Sequence, residues 1–292
     1  MHYRGRFAPS PSGPLHAGSL VAALGSFLDA RANGGEWRLR IENIDPPREV
    51  AGAAATICRQ LEAHELFWDG AIHWQHESEP HFDAVLNALI AQQDAYYCTC
   101  TRAEIKARGG HYDGYCRKRN RQPAQASVRF TNNAHVSQFS DRAAGTIQVP
   151  PEFAQEDFVL KRRDKLWAYQ LAVVVDDYQQ KISHVVRGAD LLFPTVWQLS
   201  LWQSLQQLSK RSKLSFPLQQ APHYLHLPLQ LDARGQKLSK QNHAPAIEAK
   251  HASANLFSAL TKLGLSPPQE LNGAKPAELL NFGIQQWPTK YR

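Results

Sequence analysis

The run Arg6-Phe7-Ala8-Pro9-Ser10-Pro11-Ser12-Gly13-Pro14-Leu15-His16-Ala17-Gly18-Ser19 decides the fold. A short strand over Arg4 to Ala8 gives way to a Pro/Gly-rich turn, after which Leu20, Val21, Leu24, Phe27 and Leu28 recur at helical spacing until Asn33-Gly34-Gly35 ends the run. His16 to Ser19 therefore open a helix. Unpaired backbone N–H groups and the helix dipole favour anionic oxygen there, and Gly18 lets a nucleotide come close to the backbone. Working outward, Trp37, Leu39 and Ile41 alternate along a strand from Trp37 to Glu42, and a helix passes through Ile57 and Leu61. Ser78-Glu79-Pro80 opens a helix striped by Phe82, Val85, Leu86, Leu89 and Ile90, and Tyr96 to Cys100 reads as a short strand. Strands alternating with helices predict a parallel α/β sheet.

A second phosphate-handling signature lies far along the chain. Lys237-Leu238-Ser239-Lys240 follows Asp232-Ala233-Arg234-Gly235, which reads as a tight turn after an apolar strand from Tyr224 to Leu231. Two ammonium groups so placed suit pyrophosphate, because cations stabilise a transition state most where negative charge builds up.

The 292 residues are 43% hydrophobic and 20% charged, enough for one large or two modest cores. Their 33 basic and 26 acidic side chains leave a net charge of +7, which suits a polyanionic partner. Arg117-Lys118-Arg119-Asn120-Arg121 and Lys161-Arg162-Arg163 are the basic clusters. The start of the chain lacks an apolar leader, and no segment reaches the roughly 18 continuous apolar residues of a membrane span, so the expectation is a cytoplasmic protein with no membrane partner. No obligate protein partner is evident.

Four cysteines in such a chain argue against a disulfide framework. Cys58 falls on an apolar helix face and reads as core. Cys98, Cys100 and Cys116 cluster, and three thiolates supply three corners of a tetrahedral metal site; Cys98 and Cys100, two apart on a strand, point to one face. His111, Tyr112, Tyr115 and His135 are candidates for the fourth corner, with histidine favoured on general chemistry. The α/β rhythm breaks from Cys98 to Val159, which reads as an insertion, and resumes at Trp167. Beyond Lys240, helical signals at Ala246 to Leu263, Pro268 to Asn272 and Ala277 to Asn281 suggest a small helical cap.

Together with Arg40-Ile41-Glu42-Asn43-Ile44-Asp45-Pro46, Trp167-Ala168-Tyr169-Gln170-Leu171-Ala172-Val173-Val174-Val175-Asp176-Asp177 and His184-Val185-Val186-Arg187-Gly188-Ala189-Asp190-Leu191-Leu192, the two signatures resemble those of class I aminoacyl-tRNA synthetases in the glutamate-specific form. The similarity runs over most of the chain. It implies a Rossmann-type parallel sheet with an inserted zinc-containing α+β acceptor-type subdomain, a small C-terminal helical region and no anticodon-binding domain. The units expected are 1–97 and 160–240 for the two halves of the nucleotide fold, 98–159 for the insertion and 241–292 for the tail.

The same resemblance implies the site. Glutamate would be bound by Arg6, Phe7, Ala8, Pro9, Ser10, Glu42, Tyr169 and Arg187. Paired guanidinium hydrogen bonds suit its side-chain carboxylate, and Glu42, at the carboxyl end of its strand, suits the ammonium. The competing structural roles are ion pairs of Arg187 with Asp190 and of Glu42 with Arg40 or Arg48. ATP, accompanied by Mg2+, would meet His16, Gly18, Ser19 and Lys240, with His16, Lys237 and Lys240 as the catalytic charges. Zn2+ would be held by Cys98, Cys100, Tyr112 and Cys116, the resemblance pointing to Tyr112 rather than a histidine. Ser19 and Gln241 stand where many members carry histidine and serine.

A full glutamyl-tRNA synthetase continues well beyond the lysine signature, whereas this sequence stops at Arg292. The resemblance is therefore to a short paralogue. That form implies glutamate activation without RNA, then transfer to the cyclopentenediol of queuosine at the wobble position of tRNA(Asp). The rival expectations are a truncated synthetase charging tRNA(Glu) and a non-catalytic synthetase-like RNA-binding module.

Overall fold

The computed structural model describes residues 2–211, 219–229 and 245–291. Strand β1 (Arg4–Phe7) leads through the first signature into α1 (Ala17–Ala32), which returns the chain to β2 (Glu36–Ile41), parallel to β1 with Arg6 opposite Arg38. Helix α2 (Ala53–Ala63) then connects to the two-residue β3 (His73–Trp74), parallel to β2. Helix α3 (Glu79–Ala91) leads to β4 (Ala95–Cys98), α4 (Arg102–Ala107), β5 (Ser127–Phe130), β6 (Gln138–Asp141), β7 (Gly145–Gln148), α5 (Pro151–Ala154) and β8 (Val159–Lys161). The α/β rhythm resumes with α6 (Tyr169–Gln179), β9 (His184–Gly188), α7 (Thr195–Arg211) and β10 (His223–Leu227), and α8 (Ala252–Lys262) and α9 (Pro276–Lys290) follow.

Three sheets form among these strands. One has the order β1-β2-β3. A second has the order β7-β6-β10-β9, in which β10 is parallel to both β9 and β6 and sets His226 opposite Arg187. These two adjoin along β1 and β9, where the Ser183 N–H donates to Arg4 O (2.9 Å) and the Arg4 N–H to Ser183 Oγ (2.8 Å). From there the chain leaves toward α1 on one side and α7 on the other, the kind of place where open α/β sheets bind ligands.

The third sheet, β4-β5-β8, is antiparallel. Its outer strands lie at the sequence-based limits 98 and 159, and the β6–β7 hairpin between them returns to the parallel sheet. Asp141 and Arg142 explain that return: Arg142 N–H donates to Tyr224 O (2.9 Å), and the Arg142 guanidinium grips buried Asp29 of α1 (2.6 and 2.9 Å). Strand β4 stops at Cys98, opposite Ser127, because Thr101 already starts the capping box of α4. The expected strand through Cys100 is thus two residues shorter, and Cys100 lies in the turn.

Helix α1 is buried on nearly all sides. A Cβ on Gly25 would fall 2.6 Å from Leu227 Cδ1, and one on Gly283 of α9 2.9 Å from Leu28 and Leu260, so both glycines permit close packing. Leu256, Leu260, Leu279 and Trp287 join the core of β1, β2 and α1, which makes α8 and α9 part of the main core rather than a detached cap. Ala246, read as helical from sequence, instead bridges antiparallel to His16. Among the described residues, no helix is long and apolar enough to cross a membrane.

Candidate active site and metal cluster

Six charged side chains converge where β1 and β9 meet. Arg6 forms a two-pronged pair with Asp177 (Nε–Oδ1 and Nη2–Oδ2, both 3.1 Å), and fully buried Arg40 reaches Asp177 (2.7 Å), Glu42 (3.3 Å) and Asp176 (3.7 Å). Burial opposes ionisation of Asp177, yet Arg6 and Arg40 hold its carboxyl below the usual carboxylate range. Burial raises the Glu42 carboxyl, against the pull of Arg40 and Arg6. Glu42 pairs with Arg40 as one structural reading anticipated, while Arg48 goes to Asp45 (2.6 Å).

Arg187 is different, because among the described residues it forms no ion pair with a carboxylate. Its Nη2 donates to Thr195 Oγ1 (2.8 Å) and weakly to Leu191 O (3.4 Å), its Nε donates to His226 Nε2 (3.0 Å), and its Nη1 is buried with no partner. The hydrogen bonds run to these groups and not to Asp190. A buried N–H group left unpaired is costly and calls for an acceptor. Tyr169 opens α6, and its hydroxyl lies within electrostatic reach of Glu42, Arg187 and Arg6; burial is the largest influence raising its pKa.

The other expected glutamate contacts divide. The Phe7 ring turns into the core against Trp37 (centroids 6.3 Å apart), Pro9 O accepts the Glu42 N–H (3.0 Å), Ala8 is half-buried and Ser10 is exposed.

At the nucleotide signature, His16 is itself the N-cap of α1. Its Nδ1 accepts from the Gly18 and Ser19 N–H groups (3.1 and 3.3 Å), so these are not the open donors expected from sequence. A ring that accepts at Nδ1 carries its proton on Nε2. Gln60 of α2 clamps this turn: its Oε1 accepts from the Leu15 N–H (2.7 Å), and its Nε2 donates to Leu15 O (3.3 Å) and Ile247 O (2.8 Å). The Ile247 N–H returns a bond to Leu15 O (2.9 Å). Lys237 and Lys240 lie outside the described residues, as do the expected turn before them and the last residues of the strand leading to it.

The three thiols of Cys98, Cys100 and Cys116 have sulfurs within 4.8 Å of one another, and this cluster can hold a metal ion. The Cys100–Cys116 separation of 3.6 Å is close to the roughly 3.8 Å edge of a tetrahedron with 2.3 Å metal–sulfur bonds. Tyr112 places its hydroxyl 3.3 Å from Cys98 Sγ and accepts the Cys116 N–H (2.9 Å). Of the other candidates, His111 pairs with Glu156 (3.5 Å) and Tyr115 lies between the guanidinium groups of Arg108 and Arg119, while His135 does not join the cluster. Burial raises the Cys116 thiol, but the Thr99 backbone and the neighbouring thiols bring it to about 7, while burial pushes Cys100 up to about 11; a bound cation would favour both thiolates.

Several participants were given no role in the sequence reading: Asp176, Asp177, Asp141, Thr195, His226 and Gln60. The pair Asp176-Asp177 carried a signal, since two acids inside an otherwise apolar helix require cations. Asp141 carried none.

A parallel sheet open between its first strand and a later one, with a capped glycine turn on one side and a buried arginine–acid cluster on the other, defines the catalytic domain of a class I aminoacyl-tRNA synthetase. The chain belongs to this family in its glutamate and glutamine branch: residues 2–281 match the model described as tRNA synthetases class I (E and Q), catalytic domain. It is 50% identical over 289 residues to the glutamyl-Q tRNA(Asp) synthetase of Idiomarina loihiensis, covering 99% of this chain and 98% of that one, and 48% identical over 286 residues to the protein of that name from Photobacterium profundum, covering 98% and 88%. Among solved structures it is similar to a glutamate tRNA ligase from Elizabethkingia meningosepticum crystallised with its amino acid (TM-score 0.66, 30% identity, 82% of this chain). It spans about half the length of that ligase, 52%.

Proposed function

We propose that the protein activates L-glutamate with ATP, without RNA, and transfers the glutamyl group to the cyclopentenediol of queuosine at the wobble position of tRNA(Asp). The observation that carries the glutamate half is the buried, unpaired Nη1 of Arg187 beside Tyr169 and Glu42. Arg187 receives the side-chain carboxylate, Glu42 the ammonium, and Arg6, tied to Asp177, stiffens the floor. The α-carboxylate oxygen attacks the α-phosphorus of ATP, the bond to the bridging oxygen breaks, and pyrophosphate leaves. His16 Nε2–H donates to phosphate oxygen, and Lys237 and Lys240 meet the departing charge; Ala246, six positions beyond Lys240, is the residue that bridges to His16. A hydroxyl of the RNA then displaces AMP from the glutamyl adenylate. Mg2+ bound with ATP would neutralise phosphate charge.

The acceptor is supported by the relatives of matching length, named for glutamyl-Q tRNA(Asp). Zn2+, held by Cys98, Cys100, Cys116 and Tyr112, would cross-link β4 to the 112–116 turn and thereby stabilise the insertion, whose basic cluster from Arg117 to Arg121 suits RNA phosphates. The test is glutamate-dependent ATP–pyrophosphate exchange without RNA. Exchange with L-glutamate and not with L-glutamine or L-aspartate supports the reading; no exchange with any amino acid leaves the non-catalytic alternative.

A further inference from the structure

The partner of Arg187 Nε is an imidazole, and that choice has consequences. His226 is wholly buried on β10 opposite Arg187. Its Nδ1 lies 2.7 Å from Asp141 Oδ2, and Asp141 accepts further bonds from the His226, Ala143 and Ala144 N–H groups (3.1, 3.0 and 2.9 Å). A carboxylate so surrounded only accepts, so the imidazole proton is on Nδ1 and Nε2 is left to accept from Arg187 (3.0 Å). Thr195 Oγ1 donates to Leu191 O (2.9 Å) and accepts from Nη2, which fixes a second edge of the same guanidinium, and the Tyr224 ring lies 5.2 Å from its carbon.

We propose that His226, held in one tautomer by Asp141, is a positioning residue that fixes the plane of Arg187 without neutralising it, and so sets the affinity for the carboxylate of the amino-acid substrate. This rests on the assignment of Arg187 as glutamate clamp. An acid in place of His226 would orient the guanidinium equally well but compete with the substrate, as Asp177 does for Arg6. A neutral acceptor orients it and leaves its charge for the ligand.

Protonating His226 would set an Nε2–H against the Arg187 Nε–H and release the clamp. The charged and titratable groups around His226 are Asp141 from β6, Arg187 from β9, Asp190 after β9 and Tyr224 on its own strand. Burial and Arg187 keep the imidazole below its usual value, against Asp141 and Asp190, so the neutral form dominates at neutral pH.

The experiment is ATP–pyrophosphate exchange by the whole chain and by the His226→Leu, His226→Gln and Arg187→Ala variants, with KM for glutamate and for ATP measured from pH 5.5 to 8. His226→Leu is expected to raise the glutamate KM about tenfold, the loss of one charge-assisted hydrogen bond, with little change in the ATP KM. His226→Gln, whose amide oxygen can accept from Nε, recovers most of the loss. An Arg187-dependent exchange whose glutamate KM ignores His226→Leu, or a His226→Gln variant that recovers none of the His226→Leu loss, overturns the positioning role alone. Exchange indifferent to Arg187→Ala overturns the clamp and this inference with it.

Discussion

Arg187→Ala tests the glutamate pocket most sharply. The wild-type guanidinium is buried and, among the described residues, bears no ion pair and keeps Nη1 unpaired. A carboxylate meeting it through two charge-assisted hydrogen bonds gains roughly 1.5–3 kcal/mol from each. Allowing for relaxation of His226 and Thr195, the loss is about 3–5 kcal/mol, or roughly two to four orders of magnitude in kcat/KM for glutamate. The assay is initial-rate ATP–pyrophosphate exchange over a range of glutamate concentrations, with ATP binding measured separately in the absence of glutamate. ATP affinity should stay nearly unchanged, because the partners of Arg187 lie on β10, α7 and the turn before it and not in the Leu15–Ser19 turn. Arg187→Lys, which keeps the charge but loses the fork, should fall between. A glutamate KM within about threefold of wild type in a folded Arg187→Ala protein would refute the reasoning.

Other consequences concern metal, turn and surface charge. Purified protein should contain about one zinc per chain by elemental analysis, and Cys100→Ser should lose most of it and melt at lower temperature; metal-free wild type would refute the site. Gln60→Ala strands Leu15 N–H and Ile247 O, which should cost about 2–3 kcal/mol in urea unfolding and raise the ATP KM; an unchanged ATP KM would detach this clamp from the nucleotide turn. Glu36 is lowered to about 2 by Arg4 and Arg38. A depressed carboxyl contributes stability above its unfolded value and loses it as pH falls, so Glu36→Gln should lose about 1 kcal/mol at pH 7, given solvent screening, with the difference vanishing between about pH 4.5 and 2. A pH-independent difference would point to packing instead.

The parallel sheet and the turn that opens α1 were legible because their signals are local. Helical spacing after Pro14, the glycine turn and the alternation in Trp37 to Ile41 each follow from a few adjacent residues. What stayed hidden depends on contacts between distant segments. His16 was expected to leave amides open, yet its own ring fills them. The return of the β6–β7 hairpin to the main sheet depends on Arg142 meeting Asp29, 113 positions earlier, and nothing near either residue announces the pair. His226 read as part of an apolar strand, since its role appears only when Asp141 and Arg187 flank it. Cys100 was expected on a strand and lies past its end, because the capping residue of α4 turns the chain first.

The most direct measurement of the whole account is transfer of labelled glutamate, with ATP and Mg2+, onto tRNA(Asp) prepared with and without queuosine, with tRNA(Glu) as a third acceptor. The account predicts label on the queuosine-bearing tRNA(Asp) alone. Label on tRNA(Glu), or equal label on tRNA(Asp) lacking queuosine, would contradict it.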